Sequence, residues 1–189
     1  EELTYDEIME GFRKGMKDGI IVPVVACSAL TGVGIARTMD LMAKYLPSPA
    51  HEGLKQVGTN PKTGDAVERI CSDDQPFSAL VFKTIADPFV GMLSLFRIFS
   101  GRLTGSTTIY NSTKEKVEKA GGMFSLRGNK QINIDKLHAG ELGALAKLQF
   151  TSTGDTLCDE ANQIILESMV FPDPVIEVAI ESKTKAGQE

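Results

Sequence analysis

The sequence is poor in residues that build metal and disulfide sites. Three cysteines, Cys27, Cys71 and Cys158, and two histidines, His51 and His138, are scattered over 189 residues. No cysteine stands in a CxxC pair, and an odd number cannot be fully bridged. Zinc sites and disulfide frameworks are therefore set aside, leaving reduced thiols in a cytoplasmic protein as the expectation. Long apolar runs are missing too. The longest, Ile20 to Cys27, is broken by Pro23 and falls far short of the roughly 18 residues a membrane span needs. No apolar run follows Glu1-Glu2, so a secretory signal is not expected, and Asn111-Ser112-Thr113 reads as a chance glycosylation match. A net charge of −5 excludes a chain-wide nucleic-acid surface. DNA is not an expected partner, and any RNA contact must come from a local patch.

Catalytic motifs are absent as well. No GxxxxGK(S/T) phosphate loop occurs. Gly105, at the end of Gly101-Arg102-Leu103-Thr104-Gly105, is followed by Ser106, not by lysine. Gly32-Val33-Gly34 has Arg37 where a dinucleotide fingerprint needs its last glycine. Asn129-Lys130-Gln131-Ile132 is half of a guanine-specifying NKxD, without the aspartate. Lacking phosphate loop, Mg²⁺ ligands and a water-positioning residue, the chain has no machinery for phosphoryl transfer, and no residue is assigned a catalytic or metal-binding role.

What is present is ordinary globular composition, 42% hydrophobic and 24% charged, enough for one good core or two small ones. Thr4-Tyr5-Asp6-Glu7 is a capping box, and Ile8, Phe12 and Met16 continue as one helical face. Asp18-Gly19 ends that helix. Ile20 to Ala26 reads as a buried β-strand, Cys27 to Gly32 as a loop, and Val33 to Leu46 as a second helix closed by Pro47-Ser48-Pro49. One strand between two helices cannot complete an α/β domain. Residues 1–48 are thus expected to expose an apolar face. Gly53, Gly58, Asn60-Pro61 and Gly64 then mark residues 49–73 as a linker.

From Gln75 the pattern changes to short strands. These are Phe77 to Ile85, Gly91 to Ser100, Ser106 to Asn111, Lys116 to Ser125, Glu141 to Phe150 and Asp155 to Cys158. Glycines punctuate them, as expected of a closed antiparallel barrel. Phe171-Pro172-Asp173-Pro174 is a stiff hinge before a last strand, Val175 to Glu181. The chain has no initiator methionine and stops just past this strand, so both ends are expected to be cuts through a larger protein. Lys114, Lys116, Lys119, Arg127 and Lys130 are the only basic concentration in the barrel region, partly neutralised by Glu115 and Glu118. No aromatic lies among them, which points to phosphate rather than base contact.

Three segments carry a family resemblance. They are Ala86-Asp87-Pro88-Phe89-Val90-Gly91, Thr153-Gly154-Asp155-Thr156-Leu157-Cys158-Asp159 and Phe96-Arg97-Ile98-Phe99-Ser100-Gly101. With Ser28-Ala29-Leu30 after an apolar run, they resemble elongation factor G, a translational GTPase. The resemblance implies a mainly β fold, an antiparallel translation-factor-type β-barrel preceded by a partial α/β tail of a P-loop GTPase. It implies residues 1–48 as the end of the GTPase domain, 49–73 as a linker, 74–168 as domain II and 169–189 as the start of domain III. Within the first piece, residues 1–20 would close an insert of the GTPase domain.

The resemblance also implies roles. Ser28, Ala29 and Leu30 would contact the guanine of GTP in the whole protein only, and the fragment alone would be neither a GTPase nor a useful GTP binder. Asp87, Phe89, Arg97, Lys114, Lys116, Arg127 and Lys130 would face the ribosome, through its small-subunit rRNA, or other domains of the same protein. The implied activity is translocation of tRNA and mRNA, with the barrel positioning the factor on the small subunit. Gly121-Gly122 and Arg127-Gly128-Asn129-Lys130 depart from the family pattern and favour a paralogue. A ribosomal protection or release-factor-like GTPase, and a non-enzymatic RNA- or protein-binding barrel, are the alternatives.

Overall fold

A computed structural model describes residues 2–49, 55–88, 90–119, 121–128, 130–167, 169–170 and 172–179. The expected capping box opens helix α1 (Tyr5–Lys17). Glu7 Oε2 accepts from the Thr4 amide at 2.8 Å while the Glu7 amide donates to Thr4 Oγ1 at 3.4 Å. Helix α2 (Ile35–Tyr45) begins after Gly34, whose φ of +79° suits glycine. The two helices meet where Phe12 packs edge-on against Tyr45, with ring centroids 5.3 Å apart.

Between the helices, Ile20 to Ala26 is not the buried strand expected. The segment forms no ladder, and Val24 is 91% exposed. β-branched residues favour a strand only when a neighbouring strand takes their amides, and among the described residues none does. The expected apolar exposure is found instead, at Ile20, Val22, Leu30, Val33, Met39 and Met42.

The first two strands, β1 (Lys55–Thr59) and β2 (Ala66–Ile70), form a hairpin where a linker was expected. Asn60 and Gly64, the residues that suggested irregular chain, build its turn. Asn60 Oδ1 accepts from the Lys62 amide at 2.9 Å, and the Gly64 amide donates to Asn60 O at 2.9 Å. Gly58 is required by contact rather than by flexibility. A Cβ there would lie 2.5 Å from Ile165 O and 2.6 Å from Ile164 Cγ1. Gly58→Ala should therefore lower stability by roughly 1–3 kcal/mol, read as a lower urea midpoint with an unchanged slope.

The main body comprises β3 (Ser78–Asp87), β4 (Gly91–Ser100), β5 (Leu103–Thr104), β6 (Ile109–Asn111), β7 (Lys116–Glu118), β8 (Gly122–Arg127), β9 (Lys130–Asn133), β10 (Lys136–Leu137), β11 (Leu142–Ala146) and β12 (Thr156–Cys158). A short β13 (Ile165–Leu166) follows. Eight of these strands form one antiparallel sheet in the order β7-β6-β12-β3-β4-β11-β8-β9, while β5 and β10 pair separately. The fold is mainly β and antiparallel, barrel-like as expected, although among the described residues no ladder closes β7 onto β9.

Side-chain alternation sorts the two faces. Ala79, Val81, Phe96, Ile98, Leu103, Ile109, Met123, Leu137, Leu145 and Leu157 gather into one core. On the other face Cys158 joins Ile164 and Leu166, against Leu80, Phe99, Tyr110 and Val67. The sheet formed by β13, β1 and β2 covers that face, so the hairpin of residues 55–70 is part of the body rather than a tether.

Two strands differ from expectation at glycines or left-handed residues. Lys116 to Ser125 is split into β7 and β8, because the chain turns through Gly121, whose amide donates to Ala146 O at 2.8 Å. Glu141 to Phe150 ends at Ala146, because Lys147 turns left-handed with φ +61°. The expected strand Val175 to Glu181 forms no ladder over residues 175–179, and its last two residues lie outside those described. Val175 and Ile176 are exposed there, with no strand beside them among the described residues.

Candidate interaction site at the hairpin tips

Strands β3 and β4 pair down to Asp87 opposite Gly91, so the chain reverses in three residues. Gly91 makes this possible with φ +81°. Asp87 braces the reversal in two directions. Its Oδ1 accepts from the Val90 amide at 3.0 Å, and its Oδ2 accepts from Gln131 Nε2 on β9. The second bond ties the β3–β4 tip to the β8–β9 hairpin. Beneath the tips Val90, Leu93, Leu95, Phe124 and Leu126 pack together.

On the braced β8–β9 hairpin, Arg127 pairs directly opposite Lys130, and both are exposed. The structure thus brings together three of the seven residues expected to face a partner: Asp87, Arg127 and Lys130. Asp87 is engaged with its own turn and its neighbour, which is a structural use. Phe89 lies outside the described residues. Gln131 was not anticipated. A glutamine next to a lysine carries no sequence signal, and only the fold puts it against Asp87.

Lys114 and Lys116 lie elsewhere, on the β6–β7 hairpin at the opposite end of the strand order. The single basic concentration read from the sequence is therefore two separate hairpins. Nor does Glu118 neutralise it at the surface. The Glu118 carboxylate is buried and accepts from the Gln149 amide at 3.0 Å, the Phe150 amide at 2.8 Å and Thr151 Oγ1 at 2.8 Å. Thr151 Oγ1 in turn accepts from Asn111 Nδ2 at 3.1 Å, and Asn111 Nδ2 also donates to Asp155 Oδ2 at 3.0 Å. Lys114 Nζ reaches the buried Asp155 at 4.0 Å. Such a network holds buried carboxylates by satisfying them.

The same contacts explain Thr153-Gly154-Asp155. Gly154, with φ +95°, donates its amide to Val81 O at 2.7 Å, and the Val81 amide returns to Asp155 O at 3.0 Å. This turn docks where β3 departs from regular register between Val81 and Lys83.

Arg97 was expected to face the ribosome or another domain. It is half-buried on β4, stacked over the Phe99 ring at 5.1 Å, because its strand position faces the covering β1–β2 hairpin. Ser100 and Gly101, from the same segment, are structural. Ser100 Oγ donates to Pro76 O at 2.7 Å and so accepts from Ser78 Oγ at 2.6 Å.

The Ser28-Ala29-Leu30 loop is a tight turn. The Ser28 amide donates to Val33 O at 2.9 Å, the Gly32 amide to Ser28 O at 2.9 Å, and the Thr31 amide to Ser28 Oγ at 3.3 Å. Among the described residues the Ala29 and Leu30 amides make no hydrogen bond, and Leu30 is 97% exposed. No group of three or more His, Cys, Asp or Glu among the described residues could hold a metal ion.

Residues 76–160 match the family model described as elongation factor G domain 2. The matched span starts just before β3 and ends just after β12, and so contains the hairpin tips and the buried carboxylate network. Among solved structures, the chain is similar to a crystal structure of a protein from Thermus thermophilus, with 22% identity and a TM-score of 0.72. That likeness covers 98% of this chain and 25% of the other, so this chain spans about a quarter of its length and shares its fold there.

Proposed function

We propose that this chain, whose residues 76–160 match the model of elongation factor G domain 2, belongs to a ribosome-dependent translational GTPase of the elongation factor G type. In that whole protein the β domain positions the factor on the small ribosomal subunit. The single observation that carries this reading is the match over residues 76–160. The braced tips give it a physical form. Arg127 and Lys130 are exposed side by side on a hairpin fixed to its neighbour through Asp87 and Gln131. Two preorganised cations on a rigid support lose little entropy on meeting a phosphate. Their partner is rRNA backbone, in the cytoplasm. Lys114 and Lys116 are a second contact on the β6–β7 hairpin, and Phe89 and Arg97 belong to the same surface or to interdomain contacts.

The remaining assignments follow from the same reading. Ser28, Ala29 and Leu30 contact guanine, and the two unbonded amides supply donors a guanine oxygen could accept. GTP is the cofactor of the whole protein, whose phosphate-binding parts are not in this sequence. Residues 1–48 close its GTPase domain, residues 74–168 are domain II and residues 169–189 begin domain III. Its activity is tRNA–mRNA translocation.

The test is co-sedimentation with small ribosomal subunits across a salt series. The chain should pellet at low salt, and Arg127→Gln with Lys130→Gln should flatten the log–log salt slope by about one to two. An unchanged slope would remove the tips from the contact. Failure of the unaltered chain to pellet at any salt would remove the ribosome.

A further inference from the structure

The β1–β2 hairpin does not lie flush on β4. Between them is a hollow of about 170 Å³, walled by Pro49, Cys71, Ile98 and Phe99 and rimmed by Lys55, Gln56 and Arg97. Lys55 is already held by Glu68 at 2.9 Å. Arg97 is not held. Its guanidinium stacks on Phe99, its Nε is buried without a hydrogen-bond partner, and no Asp or Glu is among the described residues lining the hollow. The Gln56 side-chain amide has only a long contact, 3.5 Å to Val57 O. Burial raises the Cys71 thiol pKa, the Arg97 charge works against that rise and the Asp73 carboxylate adds to it, so both charges are felt at the floor of the hollow.

A half-buried arginine without a carboxylate is costly, and its fork of donors matches a planar oxyanion in two-point contact. The walls are mainly apolar, so the anion must arrive on an aliphatic stem. The volume is below the roughly 300 Å³ of the smallest ordinary ligand sites, too little for a nucleotide with its sugar. A single acidic side chain meets both conditions.

We propose that the hollow between β1–β2 and β4 is a docking site for one carboxylate side chain, glutamate or aspartate, presented by a polypeptide segment outside this chain. Arg97 grips the carboxylate, Gln56 donates a further hydrogen bond, and Phe99 and Pro49 take the stem. This site is separate from the hairpin tips and does not depend on their binding to rRNA.

The probe is N-acetyl-glutamate α-amide, which has one carboxylate, titrated into the ¹⁵N-labelled chain with inorganic phosphate as the comparison. The Arg97 Nε–H and Gln56 side-chain signals should move together and saturate, with a Kd on the order of millimolar for so small a ligand. Arg97→Gln should weaken binding about tenfold or more. Gln56→Glu supplies a tethered carboxylate, so it should move the Arg97 Nε–H signal without ligand and block the probe. That variant also decides the matter if Arg97→Gln does not fold. Absence of any shift, or an equal shift in a folded Arg97→Gln chain, would overturn the site. Tighter binding of phosphate than of the glutamate probe would overturn the assignment to an acidic side chain.

Discussion

Phe96→Ala should lower the stability of the β domain by about 3–5 kcal/mol, the range for deleting a fully buried aromatic ring. Phe96 has no exposed surface and sits at the centre of the sheet, opposite Val81 on β3 and Gly143 on β11. Gly143 makes room for it. A Cβ at that position would already lie 3.0 Å from Phe96 Cζ, so ring and glycine form a matched pair. Leu137 packs on the same side of Gly143 as the ring, so how far it relaxes into the void sets where in that range the loss falls. A domain of this size is stable by only about 5–15 kcal/mol. The variant should therefore unfold at much lower urea with the same slope. Phe96→Leu, which keeps most of the volume, should lose less than about 1.5 kcal/mol.

Gly101→Ala should cost about 2–5 kcal/mol, for two reasons that add. Gly101 has φ +71°, where a Cβ costs roughly 1–2 kcal/mol. Its added carbon would also lie 2.6 Å from Phe77 N and Cα and 2.7 Å from Gln75 O. These are backbone atoms, so no side-chain rotation relieves the clash, and overpacking adds roughly 1–3 kcal/mol. The start of β3 would have to shift, straining the Ser78–Ser100 hydroxyl pair and the bond from the Gly101 amide to Ser72 O. Chemical denaturation measures the loss, and hydrogen exchange should show it concentrated at Ser78 to Val81. A change within the ordinary surface range of about ±0.5 kcal/mol would mean the junction is more pliable than its contacts imply.

The central strands were legible because each carries its own evidence. Gly91 to Ser100 is bounded by two glycines with left-handed backbone and is found with those limits. Phe77 to Ile85 and Asp155 to Cys158 are found within two residues of expectation. The capping box at Thr4 was legible because its partners are three residues apart. What failed was non-local. Gly58 looked like a breaker until β13 was seen to press on it from more than 100 residues away. Ile20 to Ala26 and Val175 onward have strand composition but no strand beside them among the described residues.

The candidate site divides in the same way. The Asp87 turn could be read from proline and glycine chemistry, and its exposed cations from composition. Splitting the basic residues between two hairpins required the strand order. The inward turn of Glu118 required the 149–151 amides, which no local pattern connects to it. Arg97 reads as exposed in the sequence because the hairpin that covers it reads as a linker.

The claim that the hairpin tips meet small-subunit rRNA is tested most directly by cleavage from a tethered iron probe. The probe would be placed through Lys130→Cys, with Thr63→Cys on the β1–β2 turn as the comparison, both in a chain whose exposed Cys27 is replaced by serine. Contact through the tips predicts discrete rRNA cuts from position 130 and none at the same nucleotides from position 63. Equal cutting from both positions, or cutting from position 63 alone, would contradict it.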